Sequence, residues 1–410
     1  MINIWLVEIG RGMLWLFLQP LFYWALLLTI ITSYYRRKNE RHEFSSSVYS
    51  FGAEWGRTWL LSLLSGIIIS AGLITIGGTM TYPVVLVLSI LAILGSITGR
   101  LFFLSSGYFI TGAIFIIWLL RQYPIEQIPS QWQVELNSIS FPLLLSLAAV
   151  LLVIEALLWF TAKKEYAFPE LIKGKRGKYI GLHVVKRLSV VPLLIPIPGG
   201  AIASLAPWWP VLPIGEQGYG FMLVPLLIGI QQSFQGLYSE HGSKLFGKWM
   251  LGLASVTALF AAGGFYDPIF VYIGAAVTLL GRVLIQLSIR FVDLEKPSIF
   301  RPQPDSLVIL SVIQDSPADK MGLQAGEHVE RVHQIQVSNE QEFYDALQES
   351  RTFCKLEVRN HEGELRFVQG PMFEGDHHEL GLIFVKEKPR FRLYQDIPTS
   401  VVVQEEQQVN

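Results

Sequence analysis

A succession of long, uncharged apolar runs constrains this chain more than any other feature. Met13–Ser33, Trp59–Gly78, Tyr82–Thr98, Leu101–Leu120 and Phe141–Phe160 carry almost no charge, and Trp249–Phe265 and Pro268–Ser288 read the same way. Each approaches the ~20 residues an α-helix needs to cross a hydrocarbon core of ~30 Å. Backbone polar groups cannot stay unpaired in hydrocarbon, so such runs predict helices. Val190–Ser233 is equally apolar but is broken by Pro192, Pro196, Pro198, Pro207, Pro210 and Pro213. It predicts two spans joined near Trp208-Trp209, or a re-entrant element followed by one span. The expectation is seven to nine crossings.

Charge then divides the chain. Residues 1–290 hold 20 Lys/Arg against 12 Asp/Glu, a net of +8, and all eleven tryptophans. Residues 291–410 hold 12 against 21, a net of −9. The whole-chain charge of −1 predicts no nucleic-acid partner. One cysteine, Cys354, excludes an intrachain disulfide and every multi-cysteine metal site. The expected domains are a multi-span transmembrane domain over 1–290, a linker over 291–304, a small α+β domain over 305–386, and a partly disordered tail over 387–410.

Basic loops stay in the cytoplasm. Arg36, Arg37, Lys38, Arg41 and Arg57 follow the first run, and eight basic residues lie between Lys163 and Arg187, whereas Arg121–Ser140 has one. Spans two to five then alternate, and an even number of later crossings leaves the acidic tail cytoplasmic. The stretch before the first run has no small-residue cleavage site ahead of Tyr34-Tyr35, so it reads as an uncleaved anchor. The Lys163–Arg187 loop can also hold anionic lipid headgroups. Glu155 is the clearest ionisable group inside a run. It lies near the basic end, within reach of Lys163 or Lys164, and reads as a snorkelling or paired structural residue; Arg282 reads likewise.

From Asp305 the pattern changes to short strands and turns. Ser306–Ile313 is β-rich. Ser316 is an N-cap with Pro317 at the first helical position and Gly322 as stop. A strand follows at His328–Val332. Ser338 with Gln341 predicts a second capped helix to about Ser350, whose apolar face is Phe343, Ala346 and Leu347. Cys354–Asn360 and Leu365–Gln369 form a hairpin.

This order, and the stretch Ser316–Val329 above all, resembles a bacterial PDZ domain. Gly326-Glu327 and His333-Gln334 stand where that family has Gly-Asp and Asn-Gly. Leu380-Gly381-Leu382-Ile383-Phe384 resembles its carboxylate-binding loop, displaced to the far end. The resemblance implies β-augmentation, in which a partner segment adds to a strand edge and drops side chains against a helix. By position Leu307, Ile309, Phe343 and Leu347 would line that groove; each is also what a small core needs. The fold class expected is thus a polytopic α-helical membrane domain of seven to nine spans followed by a small α+β PDZ-like domain.

Membrane proteins with a PDZ domain include proteases. His42, His361 and His378 each precede Glu, but none has the second histidine one turn on that a zinc protease helix needs. All eight histidines lie in loops or the tail, away from any intramembrane serine. The adjacent His377-His378 reads as a polar turn before it reads as a metal site. No phosphate-cradling glycine loop is present. The chain reads as catalytically empty, with no cofactor, metal or small-molecule substrate expected.

In layout and length the chain resembles the MinJ-like cell-division topological determinants of Gram-positive rods. That resemblance implies an adaptor in the cell membrane, enriched at septum and poles, bridging a DivIVA-type polar scaffold to MinD and through it to MinC. The alternative from another class is a transporter or intramembrane enzyme with a regulatory PDZ domain. Its mark would be a polar membrane cavity with Glu155 facing inward.

Overall fold

A computed structural model describes residues 2–56, 58–163, 167–174, 177–203, 218–349, 353–371 and 380–385. The chain divides into two compact units. One comprises Met1–Tyr34, Phe51–Phe168 and His183–Pro297; the other comprises Tyr35–Ser50, Pro169–Leu182 and Ser298–Asn410.

The first unit is built on α1 (Ile2–Trp15), α2 (Pro20–Phe44, of which the residues from Tyr35 on belong to the second unit), the short α3 (Ala53–Gly56), α4 (Trp59–Ile76), α5 (Tyr82–Ser96), α6 (Ser106–Gln122), α7 (Ser130–Ser138) and α8 (Phe141–Phe160). Helices α9 (Ser239–Gly263) and α10 (Ile269–Glu295) complete it. Among the described residues four helices (α4, α8, α9 and α10) are long and apolar enough to cross a membrane. The pair Asn3–Leu18 and Pro20–Phe44, bent by 56°, makes a fifth if it counts as one span. That is fewer than the seven to nine read from the sequence. Helices α5 and α6 are only 15 and 17 residues long.

The larger departure is at Val190–Ser233. In place of two helical spans, or a re-entrant element followed by one span, the structure has strands β2 (Tyr179–Ile202) and β3 (Tyr219–Phe234). They pair antiparallel from His183↔Phe234 to Pro198↔Tyr219 and, with β1 (Ala167–Lys173), form a sheet in the order β1-β2-β3. The joint expected at Trp208-Trp209 lies outside the described residues. Proline explains the choice of strand. Inside a helix each would remove a hydrogen bond and clash with the preceding turn, at ~3 kcal/mol. Here Pro192 and Pro225 face each other across the ladder.

A two-stranded ribbon leaves polar groups along its edges, which water cannot reach here because nearly every residue of β3 is buried. The helices supply partners. Thr58 Oγ1 donates to the Leu188 carbonyl at 2.6 Å, Gln19 Nε2 donates to the Leu223 carbonyl at 2.8 Å, and the Leu194 amide donates to Ser70 Oγ at 2.8 Å. The Met80 amide donates to the Pro196 carbonyl at 3.2 Å. Glycines let the backbones approach closely: a Cβ on Gly66 would lie 2.4 Å from the Pro192 oxygen, and one on Gly229 would lie 2.4 Å from that of Leu101.

The second unit holds the expected α+β tail: β4 (Leu307–Val312), α11 (Pro317–Lys320), β5 (His328–Val332), β6 (Ile335–Gln336), α12 (Glu340–Gln348), β7 (Phe353–Arg359), β8 (Leu365–Pro371) and β9 (Leu382–Phe384). Its sheet runs β8-β7-β5-β4-β9, with β6 paired to β5. Ser316 caps α11 by accepting from the Asp319 amide, and Gly322 takes φ +73°. The β5–β6 turn puts His333 and Gln334 at φ +49° and +70°, the left-handed pair that Asn-Gly commonly supplies. The cap of α12 is Asn339, one residue past the expected Ser338. Asn339 accepts from the Glu342 amide at 2.9 Å, while Glu342 reaches back to the Ser338 amide at 2.8 Å.

This unit also takes in segments the sequence read as membrane loops. Glu40 is buried, pairs with Arg36 at 2.8 Å and accepts from the Val48 amide at 2.9 Å. The Gly181 amide donates to the Phe300 carbonyl at 2.7 Å, and the Leu171 amide to Glu43 at 3.0 Å.

If α4 seats on the ribbon through Gly66, Gly66→Ala overpacks that contact at about 1–3 kcal/mol. Gly10, with nothing within 4 Å of a Cβ, is the control. Thermal unfolding in detergent is expected to show a lowered midpoint for Gly66→Ala alone; equal midpoints would contradict the seating.

Candidate groove and a buried ion pair

Strand β4 sits inside its sheet, with β5 on one side and β9 on the other. Strand β9 pairs through Ile309↔Phe384, Ser311↔Ile383 and Val312↔Leu382. The Val385 amide donates to the Val308 carbonyl at 3.1 Å, and the Ile313 amide to the Gly381 carbonyl at 2.8 Å. Strand groups alternate sides, so Leu382 and Phe384 turn their backbone amides and carbonyls to the outer edge. Among the described residues no strand pairs with that edge. Gly381, just before the strand, takes φ +84°, and a Cβ there would lie 2.2 Å from Ser316 Cβ, so only glycine fits.

Helix α12 packs beside this edge, the rings of Phe343 and Phe384 meeting at 4.9 Å between centroids. An opening of about 410 Å³ lies at the helix N-terminus, bordered by Leu307, Val308, Glu340, Gln341, Tyr344 and Phe384 among others. Three of the four residues placed in a groove from sequence are not at this opening. Ile309, Phe343 and Leu347 are 0–1% exposed, and with Leu307, which alone borders the opening, they belong to the core of the unit. The reason is topological: β4 has neighbours on both sides, so the free edge passes to β9. Tyr344 and Gln341 were missed because they flank the apolar stripe of α12. Phe384 and Val385 had a visible signal in the Leu380–Phe384 run. His377-His378 lie outside the described residues.

Titratable groups in this unit respond to burial. His328 is held below its ordinary ~6.5, chiefly by burial, with Arg359 and Arg301 pushing the same way and Glu330 opposing. Burial pushes the Cys354 thiol up to about 12, which leaves it a packing residue rather than a nucleophile.

In the first unit, Glu155 and Arg282 form an ion pair at 3.2 Å with both side chains 0% exposed. Ser105 Oγ donates to Glu155 at 2.5 Å and accepts from Arg282 Nε at 3.0 Å. Arg282 also donates to Gln286 at 2.9 Å, and Gln286 to Gln232 on β3 at 2.6 Å. The chain of polar contacts thus links α8, α10, β3 and the entry to α6. Glu155 faces inward to Arg282, not toward the basic end near Lys163 where the sequence put it; Lys164 lies outside the described residues. The partner is remote in sequence, and no local spacing announces it.

No family model matches the chain. Comparison with individual proteins does find relatives. The chain is 29% identical over 387 residues to the cell division topological determinant MinJ of Bacillus subtilis (strain 168), a match covering 93% of this chain and 96% of that protein. The chain is similar to MinJ along nearly its whole length. Probable cell division topological determinants MinJ from Lacticaseibacillus paracasei and Lacticaseibacillus casei (strain BD-II) match at 24% over 391 residues, covering 90% of this chain and 95% of each. The likeness to MinJ spans the apolar helices, the ribbon and the α+β tail together.

Two outcomes follow. The unfolded chain protonates His328 more readily than the folded one, so stability falls as pH drops below about 6.5 and levels off below the depressed folded value. Thermal midpoints between pH 7.5 and 5.5 are expected to fall less steeply for His328→Asn than for the parent; parallel slopes would contradict this. Glu155→Gln strands a buried guanidinium, which costs about 3–5 kcal/mol, whereas an apolar replacement of both partners is close to neutral. The single variant is expected to lose folded yield and the pair Glu155→Leu/Arg282→Met to regain it. A stable single variant would mean the charges are not mutually required.

Proposed function

We propose that this protein is a membrane-held adaptor in division-site selection, which grips cytoplasmic partners through its C-terminal α+β unit. The observation that carries the reading is the likeness to MinJ over more than nine-tenths of both chains. Beside it stands the outer edge of β9 next to α12, with which no strand pairs among the described residues, the geometry β-augmentation uses. In this reading residues 305–386 work as a PDZ-like domain between a linker over 291–304 and a tail over 387–410. The chain is multi-pass with that domain in the cytoplasm. One partner is a DivIVA-type polar scaffold and another is MinD, which brings MinC, so the protein collects at septum and poles. The MinJ name is that of a topological determinant and not of an enzyme, which accords with a chain that performs no chemistry.

A second reading, a transporter or intramembrane enzyme, is favoured by one observation: Glu155 faces inward. Its partner Arg282 neutralises it, and Ser105 occupies one of its oxygens. The adaptor reading treats the pair as a structural pin.

Phe343 is wholly buried, so Phe343→Asp tests folding and not recruitment. Tyr344→Asp and Gln341→Arg alter the rim instead. Fluorescent fusions in a rod-shaped Gram-positive cell are expected to place the parent at septum and poles and both variants evenly round the membrane. Septal variants would remove the groove from the mechanism, and an evenly spread parent would remove the division role.

A further inference from the structure

Helices α9 and α10 pack as antiparallel neighbours, and between them runs a crease of about 500 Å³. Its walls run from Leu245 to Val256 on α9 and from Gly281 to Val292 on α10, and among its lining side chains only Ser288 is distinctly polar. Twelve residues at ~1.5 Å rise make a channel about 17 Å long, close to the ~15 Å of one bilayer leaflet. The crease opens sideways, with Trp249 and Leu284 59% and 61% exposed.

Gly252 lines the crease in the middle of α9, where glycine costs a helix about 1 kcal/mol relative to alanine. Yet a Cβ there would meet nothing within 4 Å. This glycine is not demanded by packing within the chain; what it keeps is room. A crease between two packed helices suits a flexible methylene chain, whereas a helix of about 10 Å diameter would ride over it.

One end of the crease is basic. Lys244, Lys248, Arg290 and Lys296 are exposed there against Glu240 and Glu295. Lys244 is engaged by Glu240 at 2.7 Å, while Lys248 makes no ion pair among the described residues and lies one turn from both Leu245 and Gly252. Asp293 is buried under the Gln235, Gly236 and Leu237 amides, and Arg282 faces Glu155, so neither charge enters the crease.

We propose that this crease binds one acyl chain of an anionic phospholipid, with Lys248 at the phosphate and Gly252 leaving the space the chain fills. The site rests on the reading that α9 and α10 lie in a bilayer. It gives a membrane-held adaptor a preference for anionic lipid that needs no partner protein.

The full-length chain is reconstituted in vesicles carrying brominated phosphatidylglycerol or brominated phosphatidylcholine, and Trp249 emission is read as the difference between the parent and Trp249→Phe. Phosphatidylglycerol is expected to quench at about fivefold lower mole fraction, the worth of one lysine near an anionic surface. Lys248→Gln should shrink that preference, and Gly252→Leu, whose Cβ is clear of the protein and whose side chain would occupy the crease, should abolish it. Equal quenching by both lipids, a preference that survives Gly252→Leu, or a Trp249 shielded from both lipids by a second copy would each overturn the site. A parent that fails to float with vesicles would overturn the membrane reading itself; flotation with no lipid preference sinks only the crease.

Discussion

Strand edges must be satisfied, and both units of this protein turn on how that is done. In the first unit a β-ribbon lies among apolar helices, where an unpaired amide costs several kcal/mol. Thr58, Ser70, Gln19 and the Met80 amide close its edges, and the facing prolines at 192 and 225 withhold donors that would otherwise need partners. In the second unit no strand among the described residues pairs with the outer edge of β9, beside α12. The first solution makes a closed scaffold, and the second is the edge that the proposed adaptor would offer to another chain.

Parts of this were legible in the residues. Ser316-Pro317 and Gly322 punctuate α11, and the alternation around the Asn360–Glu364 turn gives the β7–β8 hairpin, because both signals are local. The α12 cap moved by one residue since Ser338 and Asn339 are both cap-competent and only the Glu342 carboxylate decides between them. The ribbon was not legible as such. A continuous apolar stretch reads alike as a buried strand or a buried helix, and the prolines at 192, 196 and 198, all of one parity, were the neglected hint. The Glu155–Arg282 pair and the passage of the free edge from β4 to β9 depend on contacts between distant segments. Local spacing carries neither.

Apolar helices hold the scaffold, and the ion pair of Glu155 with Arg282 pins α8 to α10. The residues first placed in a groove, Ile309, Phe343 and Leu347, instead form the core that supports α12 and β9. In the proposed adaptor, recognition falls to the rim and to the backbone of β9. That division of labour suits an adaptor whose partners bind and leave while its own fold stays unchanged.

The most direct measurement is amide hydrogen exchange of the full-length protein in vesicles, with and without a MinD-type or DivIVA-type partner. The account predicts that a partner slows exchange at Leu382 and Phe384, whose amides face the open edge, and leaves the ribbon amides of β2 and β3 unchanged. Protection that appears elsewhere, with β9 exchanging at its free rate, would contradict it.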